Sequence, residues 1–326
     1  MRLVNRSTVL FLGSIVALGL VACGGDDGGG DDDDDVINPA GTNNTFVISK
    51  ISLPTNATEA SQLGLDIDGK ANDGVDNQLG TLLASIRSLA PGLNLQMSLD
   101  EQVDTGGIIL LSNIKATDLA SAAGVGMWVY QGDTPTPAPC TDANDTICRK
   151  HLTGTGMFGI KANTPTDAKL AGTIMAGKFT GGPGEITLQI ALSDAGAIDL
   201  PLKKARAEIA VTANGFGAGS KIGGAITQAD IDSKVIPAIH TTVVGIVARD
   251  CPKPMGTNCN CMAGSSGLSV LGFLDGNDDC VVTVEEVKTT VNGILTPDID
   301  LDGDMVNDAV SLGVGVAAFK GGFTVP

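Results

Sequence analysis

Between Asp275 and Glu286 the chain reads Asp-Gly-Asn-Asp-Asp-Cys-Val-Val-Thr-Val-Glu-Glu. With Asp275 as position 1, side-chain oxygens recur at Asn277 (position 3) and Asp279 (position 5). Val281, at position 7, needs to offer only its backbone carbonyl. Thr283, at position 9, has a hydroxyl to hold a water, and Glu286, at position 12, is long enough to give two oxygens. A hard divalent cation takes six to eight oxygens at about 2.3–2.6 Å, so this spacing points to Ca2+ as the cofactor. The bland alternative is an acidic turn that binds nothing tightly.

This stretch resembles the loop of the EF-hand family, including the apolar Val282 at position 8. It departs at position 6, where Cys280 replaces the Gly of the family's sharp turn. A Cβ in the left-handed region costs roughly 1 kcal/mol, so the turn should be pinned, and a disulfide is the obvious pin. A second acidic stretch, Asp298 to Asp308, allows two readings. Counted from Asp298, the oxygens of Asp298, Asp300 and Asp302 precede Gly303 at position 6, but Ala309 stands at position 12. Counted from Asp300, Asp300, Asp302, Asp304 and Asp308 fall at 1, 3, 5 and 9, resembling the Asp-rich repeats of secreted calcium proteins. The starts at Asp275 and Asp298 are too close for an ordinary EF-hand pair. Asp66 to Asn77 also looks like a calcium loop, but Lys70 sits where a third oxygen belongs. Its rival reading is a turn at Asn72-Asp73-Gly74 with Asp76 or Asn77 capping the next helix.

The chain has seven Cys. Leu20-Val21-Ala22-Cys23 closes an apolar run after Arg2 and Arg6, and this tetrapeptide resembles the lipobox of bacterial lipoproteins. The resemblance implies cleavage before Cys23 and a diacylglycerol on its sulfur, hence a membrane partner through a lipid anchor. Gly24 rather than Asp after Cys23 leans toward the outer membrane. Six Cys then remain for three disulfides in an oxidising compartment. Cys140 with Cys148 is the easy local pair. Cys251, Cys259, Cys261 and Cys280 allow three pairings, of which one containing Cys259–Cys261 is strained. A zinc site made of those four is the metal alternative.

The rest of the sequence supplies the elements that must position these residues. Residues 1–22 read as the signal peptide and 23–44 as an Asp/Gly-rich tether, with Asp26, Asp27 and Asp31 to Asp35 repelling one another. Loss of residues 1–22 removes Arg2 and Arg6 and takes the net charge from −17 to −19. So acidic a chain excludes nucleic acid as a partner. Residues 45–250 read as an antiparallel sheet domain with helices, and 251–326 as a Cys-rich, EF-hand-like calcium module ending in a strand. Leu79, Leu82, Leu83, Ile86 and Leu89 share one helical face. Thr227 and Asp230 open a second helix carrying Ile231, Val235, Ile239, Val243 and Ile246, which Pro237 should kink. Period-two alternation marks Glu185–Leu192 and Lys204–Val211, and returns at Leu312, Val314, Val316 and Ala318.

The fold class expected is α+β: a Gly-rich antiparallel sheet, sandwiched or curved, with packed amphipathic helices and a disulfide-stapled C-terminal module. If the tail strand joins the sheet, everything after residue 45 is one cooperative unit. His151 and His240 are the only His, and no nucleophile, base and orienting group assemble, so no enzyme is expected. The order of lipobox, tether, D-x-D-G segment, Gly-rich strands and late C-x-C with its acidic loop resembles a group of exported lipoproteins of myxobacteria. That resemblance implies a place in the cell envelope and no activity. The leading expectation is a membrane-anchored lipoprotein that binds calcium structurally and serves as an envelope or surface interaction module, with an envelope protein as a possible partner. The alternative is a carrier of a lipid or other apolar ligand.

Overall fold

The computed structural model describes residues 39–70, 74–89, 94–142, 144–193, 196–251 and 259–326. The expected signal peptide, Cys23 and most of the tether lie outside the described residues, as does the turn at Asn72-Asp73. Ile37–Pro326 cluster into one compact unit. Its strands are β1 (Thr42–Ser52), β2 (Leu110–Ala116), β3 (Ala122–Thr136), β4 (Met157–Ile160), β5 (Lys169–Met175), β6 (Lys178–Gly181), β7 (Ile186–Ser193), β8 (Gly196–Thr212), β9 (Gly215–Phe216), β10 (Lys221–Thr227) and β11 (Ala309–Lys320). Its helices are α1 (Ala57–Leu63), α2 (Gln78–Leu89), α3 (Leu95–Thr105), α4 (Gln228–Asp230), α5 (Ile236–Asp250), α6 (Ser266–Leu274) and α7 (Val284–Ile294).

The ladders run β1-β2-β3-β5-β6-β8-β10-β11, and β11 also pairs with β1. Every ladder is antiparallel, so the pairing returns on itself as a ring of eight strands. Closure removes the free edges that an open sheet would present. The expected curved sheet is therefore a closed one. The tail strand does join it: β11 lies between β1 and β10, so residues 251–326 share the sheet of the preceding segment. Folded sequence begins at Thr42, inside the stretch read as tether.

β8 shows how the sequence holds its face. Leu200 and Leu202 are buried, and so are Ala205, Ala207, Ile209 and Val211, a change of frame by one residue. Lys204 absorbs the extra residue at φ +46°, as a bulge does, and the apolar set stays inward. Before the bulge β8 pairs with β7 and after it with β6, while β10 runs alongside from Lys203 to Glu208 and takes up the register shift. β11 does not alternate as expected. It is buried from Ala309 to Val316 because it is central in the ring and α2 packs over it. Gly313 makes that approach possible: a Cβ there would stand 2.3 Å from the Leu63 carbonyl oxygen at the end of α1.

Leu79, Leu82, Leu83 and Ile86 form the buried face of α2, as their spacing requires. Thr227 Oγ1 accepts from the Asp230 amide at 3.2 Å and opens the long helix. Pro237 lacks the amide that a helix interior needs. A π-turn, Ile231–Val235, precedes it and lets the helix run on as α5.

Candidate metal centres

α6 and α7 flank the Asp275–Glu286 loop, giving a helix–loop–helix. Ser265 caps α6 by accepting from the Leu268 amide, and Val270, Leu271 and Leu274 bury its apolar side. At its end the Asp275 carboxylate turns inward. Oδ2 accepts from the Cys280 amide at 2.7 Å and Oδ1 from the Asp279 amide at 3.1 Å. Asn277 Oδ1 accepts from the Asp279 amide at 3.0 Å, and Asp279 Oδ1 from the Val281 amide at 2.9 Å. Glu286 closes the loop from the other end: Oε2 accepts from the Thr283 amide (2.9 Å) and hydroxyl (2.8 Å), and Oε1 from the Gly276 amide at 3.2 Å. Thr283 Oγ1 in turn accepts from the Glu286 amide, so the pair is also the capping box of α7. Asp275, Asp279 and Glu286 thus spend their oxygens on loop amides and are not gathered into one carboxylate group.

Cys280 stands at φ +69° and is bonded to Cys259, which is the expected pin. Cys251 pairs with Cys261 and Cys140 with Cys148. All six sulfurs are consumed, and no thiolate is left among them for zinc. The loop is also fixed from α5. His240 Nε2 donates to the Val282 carbonyl at 3.0 Å, a role that its place beside an apolar helical face did not reveal. Val281 is exposed while Val282 is buried.

In the second loop Asp298 stands apart from the carboxylates that gather. Asp298 is turned toward β11, where Oδ1 accepts from the Ser311 amide at 2.8 Å and Oδ2 from the Ser311 hydroxyl. Asp300, Asp302 and Asp304 each bring a carboxylate oxygen within 4.8 Å of the others. Asp300 accepts from the amides of Gly303 (2.7 Å) and Met305 (2.9 Å), and the Gly303 bond is the leading cause of its lowered pKa. Asp308 crosses the base of the loop, with Oδ1 accepting from the Leu301 amide at 3.0 Å. Lys204, at the bulge of β8, donates to the Asp300 carbonyl and props the loop against the sheet.

Asn77 caps α2, with Oδ1 accepting from the Gly80 amide at 3.1 Å. Asp66, Asp68 and Asp76 also gather, with one oxygen of each within 4.8 Å of the others. Burial pushes Asp76 above the usual carboxylate range, against the amides of Ile67 and Asp68, and the charges of Asp68 and Asp298 add to the rise. Burial likewise raises Asp298. For Asp68 burial is outweighed by Lys70, whose ammonium stands 2.7 Å away, and its pKa falls.

Between α2, α5, α6 and α7 an apolar hollow lined by Leu82, Ile86, Val243, Phe273 and Val291 holds about 20 Å³. A single water already needs about 10–15 Å³, so this apolar space is too small for an acyl chain. Two larger hollows, of about 300 and 370 Å³, are open and lined by mixed polar and apolar atoms. Compared with known proteins, the chain matches no family model, no curated protein and no solved structure.

Proposed function

We propose that this protein is an exported lipoprotein, anchored through Cys23 at the outer membrane, whose C-terminal part is stabilised by calcium and which serves as an interaction module of the envelope. Asp275, Asn277, Asp279, the Val281 carbonyl and Glu286 hold one ion in the manner of an EF-hand, and Asp300, Asp302, Asp304 and Asp308 hold another. The gathering of Asp300, Asp302 and Asp304 within 4.8 Å at the entry to β11 carries this reading. Three carboxylates so close repel one another unless a cation sits among them. The three disulfides support an oxidising compartment. The reading assigns no reaction to the protein. The rival, a carrier of a lipid or other apolar ligand, needs an enclosed apolar space far larger than about 20 Å³.

Extracellular calcium modules bind at about 10⁻⁴–10⁻³ M. At about 10⁻⁴ M affinity and about 1 mM calcium, each ion stabilises the fold by RT ln(1 + 10), about 1.4 kcal/mol. Calorimetric titration of the chelator-stripped protein tests the assignment. Glu286→Gln should abolish one binding event and Asp302→Asn another. Absence of binding up to several millimolar calcium would defeat the reading.

A further inference from the structure

We propose that Asp66, Asp68 and Asp76 hold a further calcium ion, seated back to back with that of the Asp300–Asp308 loop. This rests on the calcium reading above and adds to it a site and a partner loop. The first observation is an orphaned atom. Asp66 Oδ1 is fully enclosed and has no hydrogen-bond partner. Asp66 belongs to a group of three carboxylates with Asp68 and Asp76, one oxygen of each lying within 4.8 Å of the others. The Asp68 side chain is only 5 % exposed. Enclosing a carboxylate oxygen without a donor is costly, and a divalent cation among the three supplies ligation and offsets their mutual repulsion.

The second observation is that the two loops are built alike. Each carries Asp-x-Asp-Gly, at Asp66–Gly69 and at Asp300–Gly303. In each, a later Asp accepts from the amide of x: Ile67 to Asp76 at 2.7 Å, and Leu301 to Asp308 at 3.0 Å. In each, one antiparallel bridge closes the base, Leu65 with Asp76 and Ile299 with Ala309. The two bases pack together, Leu65 and Ile67 against Ile299 and Ala309, as a small apolar cluster of their own. The loops differ after the Gly, where one has Lys70 and the other Asp304. Lys70 is 60 % exposed and bound to Asp68. A calcium ion therefore competes with its ammonium, and this site is the weaker of the two.

The test counts ions by native mass spectrometry and by calorimetry, with calcium alone as the probe. Wild type should take three ions and Asp66→Asn two, while Lys70→Ala should keep three and bind the weakest several-fold more tightly. Without calcium, Asp66→Asn relieves the repulsion among the three carboxylates, so it should melt at or above wild type; melting clearly below would make the carboxylate structural and overturn the proposal. Two ions in wild type, lost singly by Glu286→Gln and Asp302→Asn and untouched by Asp66→Asn, would also overturn it while leaving the general calcium reading standing. Two ions lost by Asp66→Asn and Asp302→Asn, but not by Glu286→Gln, would instead support this site and remove the helix–loop–helix one. No ions at all would defeat both.

Discussion

Cys280 makes a quantitative test of how the 275–286 turn is held. Its bond to Cys259 spans 21 positions. In the chain-entropy model a loop of that length destabilises the unfolded state by about 3 kcal/mol at 25 °C. Its φ of +69° works the other way, since a Cβ in the left-handed region costs about 1 kcal/mol. Two double variants separate these effects. Cys259→Ser with Cys280→Ser loses the bridge and keeps the strained Cβ, so it should lose about 3 kcal/mol. Cys259→Ser with Cys280→Gly loses the bridge and also the strain, and should recover about 1 kcal/mol of that. For a chain of this size about 2 °C of melting temperature corresponds to 1 kcal/mol. Calorimetric melts in chelator should therefore show falls of about 6 °C and about 4 °C. If the Ser and Gly variants melt together, the left-handed Cβ is not strained and the account of position 6 is wrong. If neither falls, the bridge does not stabilise the fold at all.

Asn77 joins the two ends of the chain. Its amide accepts from the Gly313 amide at 2.8 Å and donates to the Gly313 carbonyl at 2.9 Å and to the Ala60 carbonyl at 2.9 Å, all buried. Asn77→Ala leaves these groups without partners and should cost at least about 3 kcal/mol in urea unfolding; a loss under about 1 kcal/mol would refute the count. His151 is fully buried against Phe158, with neither ring nitrogen hydrogen-bonded among the described residues, and burial pulls its pKa below the ordinary 6.5. Below 6.5 the unfolded chain takes up a proton that the folded one refuses, so the His151 contribution is complete above that pH and is lost as pH falls. Stability of His151→Leu measured across about pH 5–7.5 should show a shallower acid loss than wild type, and parallel curves would refute the assignment.

The parts of the fold visible beforehand are those where local pattern and tertiary burial agree. α2 repeats its Leu because one side meets the sheet, whereas Ile186–Leu192 alternates in residue type although Gln189 and Ala191 on its second face are buried too. β1 is hard to see in the sequence because Thr42-Asn43-Asn44-Thr45 is polar, although Phe46 to Ser49 and Ile51 are buried. β10 carries two Gly in seven residues and offers weak strand propensity; its partners on both sides make it a strand. The alternation read in the tail was true of residue type but not of burial, since the small residues between the Val and Leu face α1 and α2. Among the site residues, spacing identified Asp300, Asp302 and Asp304, which do gather. It could not decide about Asp298, because the Ser311 that takes its carboxylate is defined by the fold. The weight given to Lys70 hid the gathering of Asp66, Asp68 and Asp76, because Asp76 is brought in by a bridge to Leu65 and not by loop spacing.

The place of β11 also sets an order in time. Phe46 near the start of the folded unit pairs with Lys320 near its end, so the ring cannot close until nearly the whole chain exists. Until then β1 and β10 each present an unpaired ladder, and the long closure delays the cooperative step. For a chain exported as proposed, this delay is useful: a sheet that waits for its last strand stays open enough to be threaded through a narrow channel. It also exposes a hazard. A chain cut short before Ala309 would leave two apolar strand edges open toward other copies, and its expected fate is aggregation or proteolysis rather than a smaller folded domain.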